Sequence, residues 1–162
     1  GIIGCGFIGK DLVELLQPWN CTLIVNDILD FPDFYARYSV TPVGLEKLLQ
    51  RSDVVTLHVP LDESTGNMLS ATKLELMKPS AILINAARGG LVDETALKAM
   101  LVTKRLAAAA FDVFFVEPPQ DTELLNLPNF LVTPHIGGSA EEATMAMGRA
   151  AIDGLDINEL PK

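Results

Sequence analysis

The sequence predicts an α/β fold, a doubly wound parallel sheet, on three observations. Short β-branched apolar runs alternate with longer segments of helical periodicity along the chain. Those runs are apolar at successive positions, so both faces of the sheet are expected to lie under helices. The composition is 49% hydrophobic but only 6% aromatic, an aliphatic balance typical of α/β proteins. With 162 residues the chain can build one ordinary core and not two.

The elements follow in order. Ile2 and Ile3 end a first strand, and Ile8, Leu12, Leu15 and Leu16 recur at helical spacing. Residues 22–28 form a second strand rich in β-branched side chains. Residues 31–38, with proline and aromatics, read as loop, and 39–43 as a short strand. Leu45, Leu48 and Leu49 predict a helix ending near Arg51, and 53–59 a strand stopped by Pro60. A short helix is expected over 71–77, then a turn at Pro79 and a strand over 81–85. Leu97 and Leu101 mark a helix over 93–102, followed by a strand over 105–111. Pro118-Pro119 opens a long loop, 130–133 is the last strand, and 140–155 a closing helix. Right-handed crossovers wind these elements into one sheet with ligand chemistry at the carboxyl ends of its strands.

Charge narrows the partners. Lys plus Arg number 12 against 21 for Asp plus Glu, a formal charge of −9. Such a surface repels nucleic acid and anionic lipid, so neither is an expected partner. No apolar run reaches the ~18–20 residues that span a bilayer. Two cysteines, Cys5 and Cys21, make neither a disulfide framework nor a metal-ligand set. A soluble, cytoplasmic domain without metal is expected. Gly1 already lies inside an apolar run, which predicts that the domain is excerpted from a longer chain.

The first strand runs into Gly4-Cys5-Gly6-Phe7-Ile8-Gly9, a G-x-G-x-x-G. The first glycine permits the tight turn, the second admits a pyrophosphate to the backbone, and the third lets helix pack on strand. A helix starting near Phe7 would aim its free N–H groups at the phosphates, so no lysine is needed. Alone the motif is weak, since a glycine-rich turn looks the same. Asp27, at the end of the second strand and 18 residues after Gly9, strengthens it. A carboxylate there accepts from the adenosine ribose hydroxyls and repels a 2′-phosphate. No arginine follows in Ile28-Leu29-Asp30, so NAD is favoured over NADP.

Other strand ends carry polar residues. Arg88 follows the 81–85 strand in Ala86-Ala87-Arg88-Gly89-Gly90, where its fork suits a carboxylate, though a surface ion pair is the commoner role. Asp112 and then Glu117 follow the 105–111 strand. His135, one of two histidines, follows the last strand in Thr133-Pro134-His135-Ile136-Gly137-Gly138. A lone histidine is more often structural, but Glu117 in partnership would favour the imidazolium that a general acid needs.

With these residues in place, the chain resembles the NAD-binding domain of the D-isomer-specific 2-hydroxyacid dehydrogenases, nearest to the D-3-phosphoglycerate dehydrogenase branch. The glycine loop, L-H-V-P-L-D-E-S-T-G (57–66), I-N-A-A-R-G-G-L-V-D-E-T-A-L (84–97), F-D-V-F-F-V-E-P-P (111–119) and P-H-I-G-G-S (134–139) carry the resemblance. It implies a Rossmann-type domain over 1–162, with the substrate domain of a two-domain parent absent. It implies hydride transfer between NAD and a 2-hydroxy or 2-keto acid, and a homodimer in the full-length parent. The family's catalytic set falls on Arg88 for the substrate, His135 for the proton and Glu117 to orient it. Its cofactor contacts fall on Gly4, Gly6, Phe7, Ile8, Gly9, Asp27, Val59, Pro60, Ala86, Ala87, Arg88, Asp112, His135, Gly137 and Gly138. Thr65 is implied near the phosphates, Asp112 at the nicotinamide carboxamide, and His58 beside the cofactor without an acid–base role. A non-catalytic, NAD-sensing corepressor type is the alternative. Formate dehydrogenases, where glutamine characteristically partners the histidine, are disfavoured by Glu117.

Overall fold

The computed structural model describes residues 1–157. Its strands are β1 (Ile2–Ile3), β2 (Ile24–Asn26), β3 (Thr41–Pro42), β4 (Val54–Leu57), β5 (Ile82–Asn85), β6 (Ala108–Phe111) and β7 (Phe130–Val132). They form one sheet in the order β3-β2-β1-β4-β5-β6-β7, with every pair parallel. The chain winds outward from β1 in one direction and returns to β4 to wind in the other. All carboxyl ends therefore share one edge, and β1/β4 is the point where direction reverses.

The helices are α1 (Phe7–Leu16), α2 (Pro32–Tyr38), α3 (Leu45–Arg51), α4 (Ala71–Leu74), α5 (Glu94–Val102), α6 (Thr122–Leu125) and α7 (Glu141–Ile157). Helix α2 corrects the loop expected over 31–38. Pro32 stands in the first turn, where its missing N–H costs nothing, and Tyr35 is buried in the core beside Val13 and Val25. Several strands are shorter than the apolar runs that predict them. Strand β2 spans three residues of the expected 22–28, because β1 offers it only two partners.

Helix cover divides the sheet. On one face Val55, Leu57, Leu83, Ala109 and Phe111 pack with Leu48 and Leu49 of α3, Leu74 of α4, Leu97 and Leu101 of α5 and Leu124 of α6. On the other, Ile2 and Val25 pack with Val13 of α1 and Tyr35 of α2. Over β4, β5 and β7 that second face leaves Val54, Ile82 and Leu131 exposed among the described residues. The expectation of helices over both faces thus holds for the β1–β3 half, while the β4–β7 half is covered on one side. The helices that follow β4, β5 and β6 all pass across the same face, as right-handed crossovers in one direction must. Among the described residues, no helix is long and apolar enough to cross a membrane.

Candidate active site

The glycine loop joins β1 to α1. Gly4 has φ +95°, and a Cβ on it would come within 2.7 Å of the His58 carbonyl, so this turn admits only glycine. At Gly9 a Cβ would come within 2.1 Å of the Gly4 carbonyl oxygen, which is the close helix–strand contact expected of the third glycine. A Cβ on Gly6 meets nothing within 4 Å, so the loop is open where a pyrophosphate would approach. No side chain caps α1, which leaves its first-turn N–H groups at Phe7 and Ile8 facing that opening. Phe7 and Ile8 are themselves exposed. An uncapped helix start beside an unfilled glycine is a donor set that fits a dinucleotide.

Asp27, directly after β2, is joined to this loop. Its Oδ2 accepts from the Cys5 N–H at 2.5 Å and its Oδ1 from the Leu29 N–H at 2.8 Å. Val59 reaches the loop from the β4 side, where a Cβ on Gly4 would be 2.9 Å from its Cγ1. Pro60 is exposed, and Thr65 donates its hydroxyl to the Pro60 carbonyl at 2.7 Å while accepting from the Asp62 N–H at 2.8 Å. The Thr65 hydroxyl thus braces the 60–65 loop. His58 lies 3.0 Å by Nε2 from the Thr56 hydroxyl, and burial lowers its pKa, which keeps the ring neutral. Those contacts suit a strand-end residue outside the acid–base chemistry.

The β5 end is organised by Asn85, a residue that motif reading passed over. It is 1% exposed, its amide donates to the Arg88 carbonyl at 2.9 Å, and its Oδ1 accepts from the Ala87 N–H at 3.1 Å. These bonds fold the Ala86–Ala87–Arg88 turn back on its strand. A Cβ on Gly89 would stand 1.9 Å from the Phe114 carbonyl oxygen, so the β5 and β6 loops lie in backbone contact. Arg88 is exposed, with Nη1 donating to the Ala87 carbonyl at 2.6 Å, and among the described residues it shares no ion pair with Glu117.

Glu117 and His135 do meet, across 18 residues of sequence. His135 Nδ1 lies 2.7 Å from Glu117 Oε2, and Oε1 accepts from the Phe114 N–H at 2.9 Å. The bonds from His135 and from Phe114 hold the Glu117 carboxyl below its usual range. An ionised carboxylate only accepts, so Nδ1 carries the proton of this bond and Nε2 is the nitrogen left to exchange one. Asp112 sits behind the histidine, 8% exposed, and bonds to the segment 133–137. Gly137 and Gly138 follow, both exposed.

The chain is similar to known proteins along most of its length. The family described as D-isomer specific 2-hydroxyacid dehydrogenase, NAD binding domain, matches residues 1–137. A glycerate dehydrogenase of Methylorubrum extorquens is 42% identical over 159 residues, covering 96% of this chain and 48% of that protein. A D-3-phosphoglycerate dehydrogenase of Escherichia coli is 42% identical over 160 residues, 91% of this chain and 37% of that protein. The NAD-complexed D-isomer specific 2-hydroxyacid dehydrogenase of Lactobacillus delbrueckii ssp. bulgaricus superposes with a TM-score of 0.84 at 32% identity, covering 95% of this chain and 50% of that one. The chain thus spans half or less of the length of these relatives. By its sheet order, its open glycine loop and these matches, the chain belongs to the D-isomer specific 2-hydroxyacid dehydrogenases, as their NAD-binding domain.

Proposed function

We propose that residues 1–162 are the dinucleotide-binding domain of an enzyme that moves hydride between NAD(H) and C2 of a small 2-hydroxy or 2-keto acid. The observation that carries this reading is the Glu117–His135 pair at 2.7 Å, on the same sheet edge as the uncapped glycine loop. The nicotinamide, when bound, supplies the hydride acceptor or donor.

The opening at Gly6 and the N–H groups of Phe7 and Ile8 would hold the pyrophosphate, with Gly4 and Gly9 shaping the turn and the helix contact, and Asp27 would hold the ribose. Val59, Pro60, Thr65, Ala86 and Ala87, after β4 and β5, would line the path from the pyrophosphate to the nicotinamide. Asp112, Gly137 and Gly138 border the nicotinamide side. Arg88, exposed beside the β5–β6 contact, turns its guanidinium from Ala87 to the substrate carboxylate, which it grips by two parallel N–H bonds. His135 exchanges the proton through Nε2, and Glu117 keeps the ring in the required tautomer. The substrate contacts of a second domain complete the cleft in the full-length parent.

Cofactor choice tests the first half of this reading. NAD or NADH is expected to bind this chain at least about tenfold more tightly than NADP or NADPH, since a 2′-phosphate would face the Asp27 carboxylate. Calorimetric titration reads the ratio, and Asp27→Ala should narrow it. Equal affinities in the unaltered chain would remove Asp27 from cofactor selection. Oxidation or reduction of a small 2-hydroxy or 2-keto acid by the full-length protein tests the second half.

A further inference from the structure

Asp112 reaches from the end of β6 to the segment that carries His135. The Thr133 hydroxyl donates to its Oδ1 at 2.5 Å, the Ile136 N–H to the same oxygen at 2.9 Å, and the Gly137 N–H to Oδ2 at 2.8 Å. These donors bracket His135 in sequence. A Cβ on Gly137 would come within 3.0 Å of Oδ2, so the approach is close on that side as well. His135 itself has φ +53°, in the left-handed region. A residue with a Cβ stays there when its surroundings over-determine it. Burial alone would raise the Asp112 carboxyl, but the bonds from Thr133, Ile136 and Gly137 outweigh it and hold the group below its usual range. The acceptor is therefore ionised at neutral pH, and its hydrogen bonds are of the stronger, charge-assisted kind.

Glu117 cannot impose this conformation alone. It touches the ring through one bond, and the segment beyond His135 runs into two glycines that resist no rotation. Released from Asp112, the 133–138 segment could relax φ at His135 and swing Nδ1 away from Glu117. We infer that Asp112 and Thr133 form a clasp that aims the His135 ring, with Thr133 a positioning residue for the proton exchange. The inference rests on the reading of His135 as the proton-exchanging group, and its test separates the two.

On this chain, long-range ¹H–¹⁵N spectra of the imidazole in alkaline solution report the tautomer directly. The unaltered chain and Thr133→Ser are expected to show the Nδ1–H form, and Thr133→Val a mixture of both forms. An unchanged Nδ1–H pattern in Thr133→Val would overturn the clasp. In the full-length protein, Thr133→Val should lower kcat for 2-keto acid reduction about tenfold to a hundredfold, the cost of a misaimed group. Thr133→Ser should restore kcat, because the hydroxyl and not the methyl is what matters. A scrambled tautomer with unaltered kcat would leave the clasp standing and remove His135 from the chemistry. Should Thr133→Val fail to fold, Asp112→Asn serves instead. Its single carbonyl oxygen cannot serve donors on both sides, so it too should mix the tautomers, and retention of pure Nδ1–H would overturn the inference.

Discussion

His135→Gln in the full-length protein is expected to lower kcat for 2-keto acid reduction by about 10²–10⁴, the usual worth of a positioned acid–base group. Reduction leaves an alkoxide at C2 that must take up a proton, and glutamine has none to give. NAD affinity should change little, because the glycine loop and Asp27 lie on the β1–β2 side of the sheet. Glu117→Gln should act differently. The Glu117 carboxyl is held low by His135 and by the Phe114 N–H, so its constraint on the ring is present above the ordinary carboxylate range. That constraint is lost only as pH falls through the depressed value, which leaves it in place throughout the neutral range. Removing the charge weakens the acceptor that holds Nδ1–H, so kcat for reduction should fall across the neutral range while the ring itself remains. Steady-state pH–rate profiles check both variants. A His135→Gln enzyme with most of its turnover would exclude His135, and a kcat unmoved by Glu117→Gln would show that Glu117 does not hold the ring for the reaction.

Leu83→Ala is expected to destabilise the domain by about 2–5 kcal/mol, as buried leucine truncations do when the cavity only partly collapses. Leu83 is 0% exposed at the middle of the sheet, between Val55 and Ala109 on the flanking strands. Against the roughly 5–15 kcal/mol that holds an ordinary domain together, such a loss is large. The preceding residue is the control. Ile82 is 38% exposed on the opposite face, so Ile82→Thr, which keeps the β-branch, should cost only about 0.5 kcal/mol. Urea unfolding of the chain reads the difference. Equal costs at the two positions would mean that the second face over β4–β7 is covered in solution.

Residues whose task is local were legible in the sequence. Gly4 and Gly9 stand out by their spacing, strengthened by Asp27 at the next strand end, and each answers to a steric demand of its own turn: a positive φ against His58, and a helix start pressed on Gly4. The strand ends were legible for a similar reason, since parallel strands all finish on one edge and bring Asp27, Arg88, Asp112 and His135 to it. Helix α2 was not, although the information was present. Pro32 is a helix-starting signal as well as a loop signal, and burial of Tyr35 decided between them.

By itself the sequence carried the family, through its ordered motif blocks, and the α/β class, through its alternating periodicities, while the acid–base candidates came with the family resemblance. The tertiary structure alone decided how those candidates are held. Glu117 bonds His135 across 18 residues, Asp112 bonds Thr133 across 21, and Asn85 braces Arg88 from inside the core. It also decided that Val54, Ile82 and Leu131 face outward although their runs read as core. Hydrogen bonds and burial depend on distance through space, and the register of β5, β6 and β7 brings those groups within reach without leaving a period or spacing in the chain.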